Sequence, residues 1–202
     1  MNKTCKLLFI FLLTSSSLFA QNVELTPFSG YTFKSSLDIR GGEASLADGL
    51  TNGLILGIGF SEHIELELLY SRQETEASAY SYLINERPNS DAVATYGLIG
   101  LNRIGEINPA LKYFGGLKIG VAALTSNDNK FGDIIKFGVS FGGGLKYYFT
   151  EKIGLRFGAN LYAPVTGAGA GLWFSNQGAS VSVSTYSPIV QFNLQGGLII
   201  GF

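Results

Sequence analysis

One pattern constrains this chain more than any other: in segment after segment, apolar residues alternate one for one with polar or very small ones. Over residues 153–161, Ile153, Leu155, Phe157, Ala159 and Leu161 hold one parity, and Gly154, Arg156, Gly158 and Asn160 hold the other. Residues 64–70 set Ile64, Leu66, Leu68 and Tyr70 against Glu65, Glu67 and Leu69. Residues 137–149 place Phe137, Val139, Phe141, Leu145, Tyr147 and Phe149 opposite Gly138, Ser140, Gly142, Gly144 and Lys146. At the C-terminus, Val190, Phe192, Leu194, Leu198, Ile200 and Phe202 oppose Gln191, Asn193, Gln195 and Gly197. Period two belongs to a β-strand, whose successive side chains point to opposite faces. Residues 23–33, 54–60 and 111–121 repeat the pattern more weakly. Residues 93–101 have a strand's composition but an undecided facing, because Tyr96 and Leu98 compete with Ile99 and Leu101. The reading is therefore all-β, with about eight strands.

Composition says what the apolar parity faces. Charged residues are 14% and hydrophobic residues 46% of the chain, against roughly 25% charged in an average soluble domain. So little charge cannot cover a water-facing surface. Past the N-terminus, no apolar run approaches the ~18 residues of a membrane helix. Strands that face hydrocarbon must close on themselves, since each unpaired backbone group there costs several kcal/mol. The expectation is a closed antiparallel transmembrane barrel with the apolar parity on lipid. Glu65, Glu67, Lys118, Lys146 and Arg156 then point into the lumen, because a Lys or Arg at the lipid-facing midplane costs about 2–4 kcal/mol. Tyr31, Phe33, Phe60, Tyr70, Tyr113, Phe149 and Phe202 lie near strand ends, where interfacial aromatic girdles form.

The first twenty residues read as a signal peptide. Lys3 and Lys6 precede the apolar run 7–13, small residues follow, and Ala20–Gln21 is a cleavage point. Leu18 stands where a small residue is usual. The single cysteine, Cys5, leaves with this segment, so the mature chain 21–202 has no thiol chemistry. Net charge near zero gives no footprint for nucleic acid.

Connections alternate in length. Residues 60–64 and 149–153 join strands tightly, and 102–108 form a third, moderately short turn. Residues 34–52, 73–91, 122–134 and 163–188 are long. Short turns on one side and long loops on the other is the outer-membrane arrangement, with the short turns and both termini in the periplasm. The run Gly142-Gly143-Gly144-Leu145-Lys146-Tyr147-Tyr148-Phe149-Thr150-Glu151-Lys152-Ile153-Gly154-Leu155-Arg156-Phe157 resembles a hairpin of small Gram-negative outer-membrane barrels of the OmpA/OmpX type. Phe202, closing an alternating strand, resembles the C-terminal signal that such proteins offer to the barrel assembly machinery. The resemblance implies a cell outer membrane location and outer-membrane lipid as surroundings. With the chain ending at Phe202, it implies no cell-wall-binding domain.

Chemistry is sparse. The sole histidine, His63, falls in a periplasmic turn, remote from the outer leaflet where a histidine-dependent lipid-modifying enzyme of this size would work. Ser180, Ser182 and Ser184 have no nearby base. Gly142-Gly143-Gly144 lies within a strand and lacks the ending of a phosphate loop, and Gly167-Ala168-Gly169-Ala170-Gly171 matches nucleotide fingerprints no better. Asp38, Glu43 and Asp48, with Asp128 and Asp133, lack calcium-loop spacing. No catalytic residue, cofactor or metal site is expected.

The interior charges form the one notable group. Glu65 or Glu67 is expected to pair with Lys146 and Arg156 at similar depth, with Glu24, Lys112 and Lys118 as further members, because unpaired buried charge is costly. Such a cluster would plug the lumen as a salt-bridged core; a gated proton or ion path is the other reading. Trp173-Phe174 would be an outer girdle or a contact patch, and Val181 and Val183 would extend the last hairpin above the membrane. The leading function is structural or surface-interacting, without catalysis, with an extracellular protein partner reached through the long loops. The alternative is a passive channel or conduit for small solutes or hydrophobic molecules.

Overall fold

A computed structural model describes residues 23–39, 42–81, 89–126, 134–165, 170–175, 178–183 and 190–202. Twelve strands run in chain order: β1 (Val23–Thr32), β2 (Ser35–Ile39), β3 (Gly42–Leu46), β4 (Gly49–Ser61), β5 (Ile64–Ser81), β6 (Asn89–Asn108), β7 (Leu111–Ser126), β8 (Ile134–Tyr148), β9 (Ile153–Val165), β10 (Ala170–Ser175), β11 (Gly178–Val183) and β12 (Gln191–Gly201). Eight of them, β1, β4 to β9 and β12, pair antiparallel with their neighbours in turn, and β12 returns to β1. The sheet is a closed barrel, so the membrane-spanning wall has no edge.

Side-chain polarity holds the tight turns. Asn108 accepts hydrogen bonds at Oδ1 from the amides of Ala110 and Leu111, at 3.0 and 2.9 Å. Thr150 Oγ1 accepts from the amide of Ile153 at 3.0 Å. The third turn thus sits at Pro109 and Ala110, and residues 102–108, expected to be the turn, continue β6. β5 and β6 also run further at the other end, to 18 and 20 residues, about twice the 9–11 that cross a bilayer. Beyond Gln73, β3 replaces β4 as the neighbour of β5, and β2 pairs with β3. The wall of β5 and β6 therefore rises as a crest above the outer rim, where sequence reading had placed long loops.

The two parities separate as expected. Phe141, Phe157, Leu117, Leu194 and their like are exposed on the outside, while Glu67, Lys118, Lys146, Arg156, Asn160 and Asn193 are buried within. On β6, Tyr96 and Leu98 face the lumen, and Ile99 and Leu101 face lipid. Aromatic pairs ring both ends: Phe33 stacks on Phe192 with centroids 5.5 Å apart, and Tyr147 meets Phe149 edge-on at 5.2 Å. β10 and β11 pair only with each other, so the last barrel hairpin ends its pairing at Tyr162 and Gln191 instead of continuing upward.

Candidate functional site: the charged lumen

Three cations and three carboxylates meet across the periplasmic half of the lumen. β5 contributes Glu65 and Glu67; β7, β8 and β9, around the wall, contribute Lys118, Lys146 and Arg156. Lys146 Nζ lies 2.5 Å from Glu65 Oε2 and 2.7 Å from Glu24 Oε2 on β1. Arg156 Nη2 donates to Glu67 Oε2 at 2.6 Å, and Lys118 Nζ lies 3.1 Å from Glu67 Oε1. Asn102 on β6 donates through Nδ2 to Glu67, and Tyr148 Oη donates to Glu24 Oε1 at 2.6 Å. Lys118 is 0% exposed, Glu67 and Lys146 1%, and Arg156 3%. At that burial an unpaired charge is prohibitive, and balanced pairing within a network makes the arrangement tolerable.

All five residues singled out in the sequence thus lie in one network, and Glu24 joins it. Lys112 does not; it pairs at the mouth with Glu106, 2.9 Å away. The reason is depth: Lys112 is the second residue of β7, three inward positions below Lys118, within reach of the strand end only. Sequence reading missed Asn102, having placed it in a turn, and Phe114, an aromatic on the polar parity. The guanidinium of Arg156 sits 3.8 Å from the centroid of the Phe114 ring, a cation–π contact. Phe114 in turn lies against Gly144, its cross-strand partner: a Cβ there would meet the ring at 2.9 Å. Glycine on the inner parity is what lets an aromatic and an arginine share so narrow a space.

Above the charges the lumen turns apolar. Phe28, Ile55, Leu69, Tyr96, Leu98 and Tyr162 pack together, and the rings of Tyr96 and Tyr162 stack with centroids 4.7 Å apart. Above these, polar side chains link across: Tyr96 Oη donates to Gln191 Oε1 at 3.0 Å, Gln191 Nε2 to Gln73 Oε1 at 3.2 Å, and Asn193 Nδ2 to Thr32 Oγ1 at 2.9 Å. The lumen is filled in three layers, ionic, aromatic and amide.

His63 lies exposed in its turn, and Gly142 to Gly144 lie within β8. Asp48 accepts a hydrogen bond from Tyr31 Oη. Among the described residues, no group of three or more His, Cys, Asp or Glu could hold a metal. Residues 1–20, Asp128, Asp133, Ser184 and residues 167–169 lie outside the described residues, as do the side chains of Asp38, Glu43, Trp173, Phe174, Ser180, Val181, Ser182 and Val183.

A closed barrel of eight strands with a lipid-facing apolar band and a filled polar interior defines a small transmembrane barrel of the outer membrane. Residues 10–185 match the outer membrane protein beta-barrel domain family, and the chain belongs to it. Solved structures agree in fold. Neisserial surface protein A (NspA) is 15% identical with a TM-score of 0.58, covering 89% of this chain and 97% of its own. OprG of Pseudomonas aeruginosa is 15% identical with a TM-score of 0.59, covering 90% and 94%. The N-terminal barrel domain of Pseudomonas aeruginosa OprF is 14% identical with a TM-score of 0.55, covering 90% and 97%. No curated protein sequence matches the chain. The protein resides in the cell outer membrane, short turns toward the periplasm.

Proposed function

We propose that the protein is a sealed anchor that presents a surface outside the cell, with a structural or interaction role and no catalysis. The filled lumen carries this reading. Lys146 and Arg156 reach from β8 and β9 to carboxylates on β5, three and four strands away around the wall, so the ion pairs bar the cylinder instead of lining it. A solute crossing would have to separate buried ion pairs, and breaking one by removing a partner costs about 3–5 kcal/mol. An eight-stranded barrel is in any case just wide enough for its own side chains.

In this reading, residues 1–20 are a cleaved signal peptide and residues 21–202 the barrel domain. The strand ending at Phe202 is the element offered to the barrel assembly machinery. The extracellular loops, with the crest of β5 and β6, are the parts offered to an extracellular protein partner. The five lumen charges Glu65, Glu67, Lys118, Lys146 and Arg156 act as a structural plug. Reconstitution of the mature protein in a planar bilayer tests this: no steady conductance steps in potassium chloride are expected. Steady openings would replace the anchor with the passive conduit.

A further inference from the structure

Between Arg72 near the outer rim and the periplasmic turns, the lipid-facing parity of the described wall carries one charged side chain, Arg103 on β6. Its cross-strand partners are Ile64 on β5 and Gly115 on β7. Ile64 is exposed on the lipid side, and Arg103 faces outward with it. No carboxylate among the described residues pairs with this guanidinium. Its depth follows from the register. Arg72 lies opposite Thr95, and Arg103 is eight residues further along β6. At about 3.3 Å per residue and a strand tilt of about 40°, the two arginines stand roughly 20 Å apart along the membrane normal. The apolar band of such a barrel is about 25 Å tall, so Arg103 marks its periplasmic border. A second donor stands beside it. A Cβ built at Gly105, the next outward position of β6 toward the periplasm, would run into the ring and hydroxyl of Tyr113. The ring therefore lies across Gly105 and brings its hydroxyl up to Arg103. That hydroxyl also has no partner among the described residues.

A guanidinium and a phenol with no acceptor from the protein select an oxyanion. At the border of the hydrocarbon the bilayer presents that oxyanion as a lipid phosphodiester. The row through Arg103 continues around the wall as Gly115, Gly143 and Ala159. Leu117 and Phe141 flank the two glycines above, and Tyr113 and Leu145 flank them below, all exposed. Rows on one face are about 7 Å apart, so the glycines leave a shallow channel about one hydrocarbon chain wide. The row climbs away from the periplasmic turns, from Ile64 as the first residue of β5 to Ala159 as the seventh of β9. The channel thus leads from Arg103 into the hydrocarbon. We infer that this site holds one glycerophospholipid of the periplasmic leaflet, with its phosphodiester on Arg103 and Tyr113 and an acyl chain over Gly115 and Gly143. It lies on the outside of the wall and stands or falls independently of the filled lumen.

Native mass spectrometry of the folded, detergent-solubilised mature protein tests it, with dioleoyl phosphatidylglycerol, dioleoyl phosphatidylethanolamine and dioleoylglycerol added at equal concentration. Each phospholipid should be retained about fivefold more than dioleoylglycerol, the scale of one charge-assisted contact at an exposed site. The better retained of the two names the headgroup. Arg103→Gln, on the lipid face where no packing depends on it, should lower both phospholipids to the dioleoylglycerol level. Tyr113→Phe should lower them less, and Arg72→Gln, at the opposite border, should change nothing. Gly115→Leu fills the channel, where a Cβ meets no atom closer than 3.8 Å, and should weaken retention of all three lipids. Equal retention of the three by the unaltered protein, unchanged retention in Arg103→Gln, or an equal loss in Arg72→Gln would each overturn the assignment.

Discussion

Glu67 is the residue on which the lumen turns. It takes Arg156, Lys118 and Asn102 at once, and no neighbouring carboxylate can take over all three. Glu67→Gln leaves two buried cations sharing too little negative charge. A loss of about 3–5 kcal/mol of stability is expected, measured by urea unfolding in detergent micelles. Replacing the whole triad, Glu67→Leu with Arg156→Met and Lys118→Met, should recover most of that loss, since a buried ionic group and an apolar group of similar volume are often close in stability. At this scale the sequence was legible where charge met parity. Glu65, Glu67, Lys146 and Arg156 could be assigned inward because lipid forbids them outward, and their depth followed from the nearby turns. Phe114 and Phe28 were not legible: an aromatic is acceptable on either face, and only the glycines at 144 and 53 opposite them make inward placement fit.

Among the elements, β9 and β6 mark the two extremes. β9 alternates cleanly because its faces meet unlike surroundings, lipid without and Arg156 and Asn160 within. β6 spans the apolar layer of the lumen, so Tyr96 and Leu98 inside resemble Ile99 and Leu101 outside, and hydropathy alone cannot choose. Strand ends above the membrane were equally hidden. Where water bathes the outer face and the inner face packs polar side chains such as Gln73 and Thr75, hydropathy does not alternate, and residues 73–81 of β5 read as loop. Two consequences follow for the elements. Gly144→Val forces a branched side chain against Phe114 and the carbonyl of Phe157; a loss of about 1–3 kcal/mol and a weaker heat-modifiable gel shift are expected. Replacing β2 and β3 by a short turn should leave that shift intact, because the ring of eight strands closes without them. Loss of the folded band in this second variant would show that the crest supports the barrel.

As a whole molecule, the protein is a cylinder whose outside is set by hydrocarbon and whose inside is set by its own charges. Position in the membrane, closure and the filling of the lumen all derive from that single division. It can be read directly, because Cys5 is the chain's one cysteine and lies in the proposed signal peptide. Single cysteines in the mature protein can carry a fluorophore in bilayers containing nitroxide-labelled lipid. The informative positions are Phe157→Cys, Ala159→Cys and Leu161→Cys on β9, with Ala94→Cys, Leu98→Cys, Ile99→Cys and Leu101→Cys on β6. Strong quenching is predicted at 157, 159, 161, 99 and 101, with little at 94 and 98. Quenching at 94 and 98 equal to that at 99 and 101, or none at the three β9 positions, would contradict a barrel with this face toward lipid.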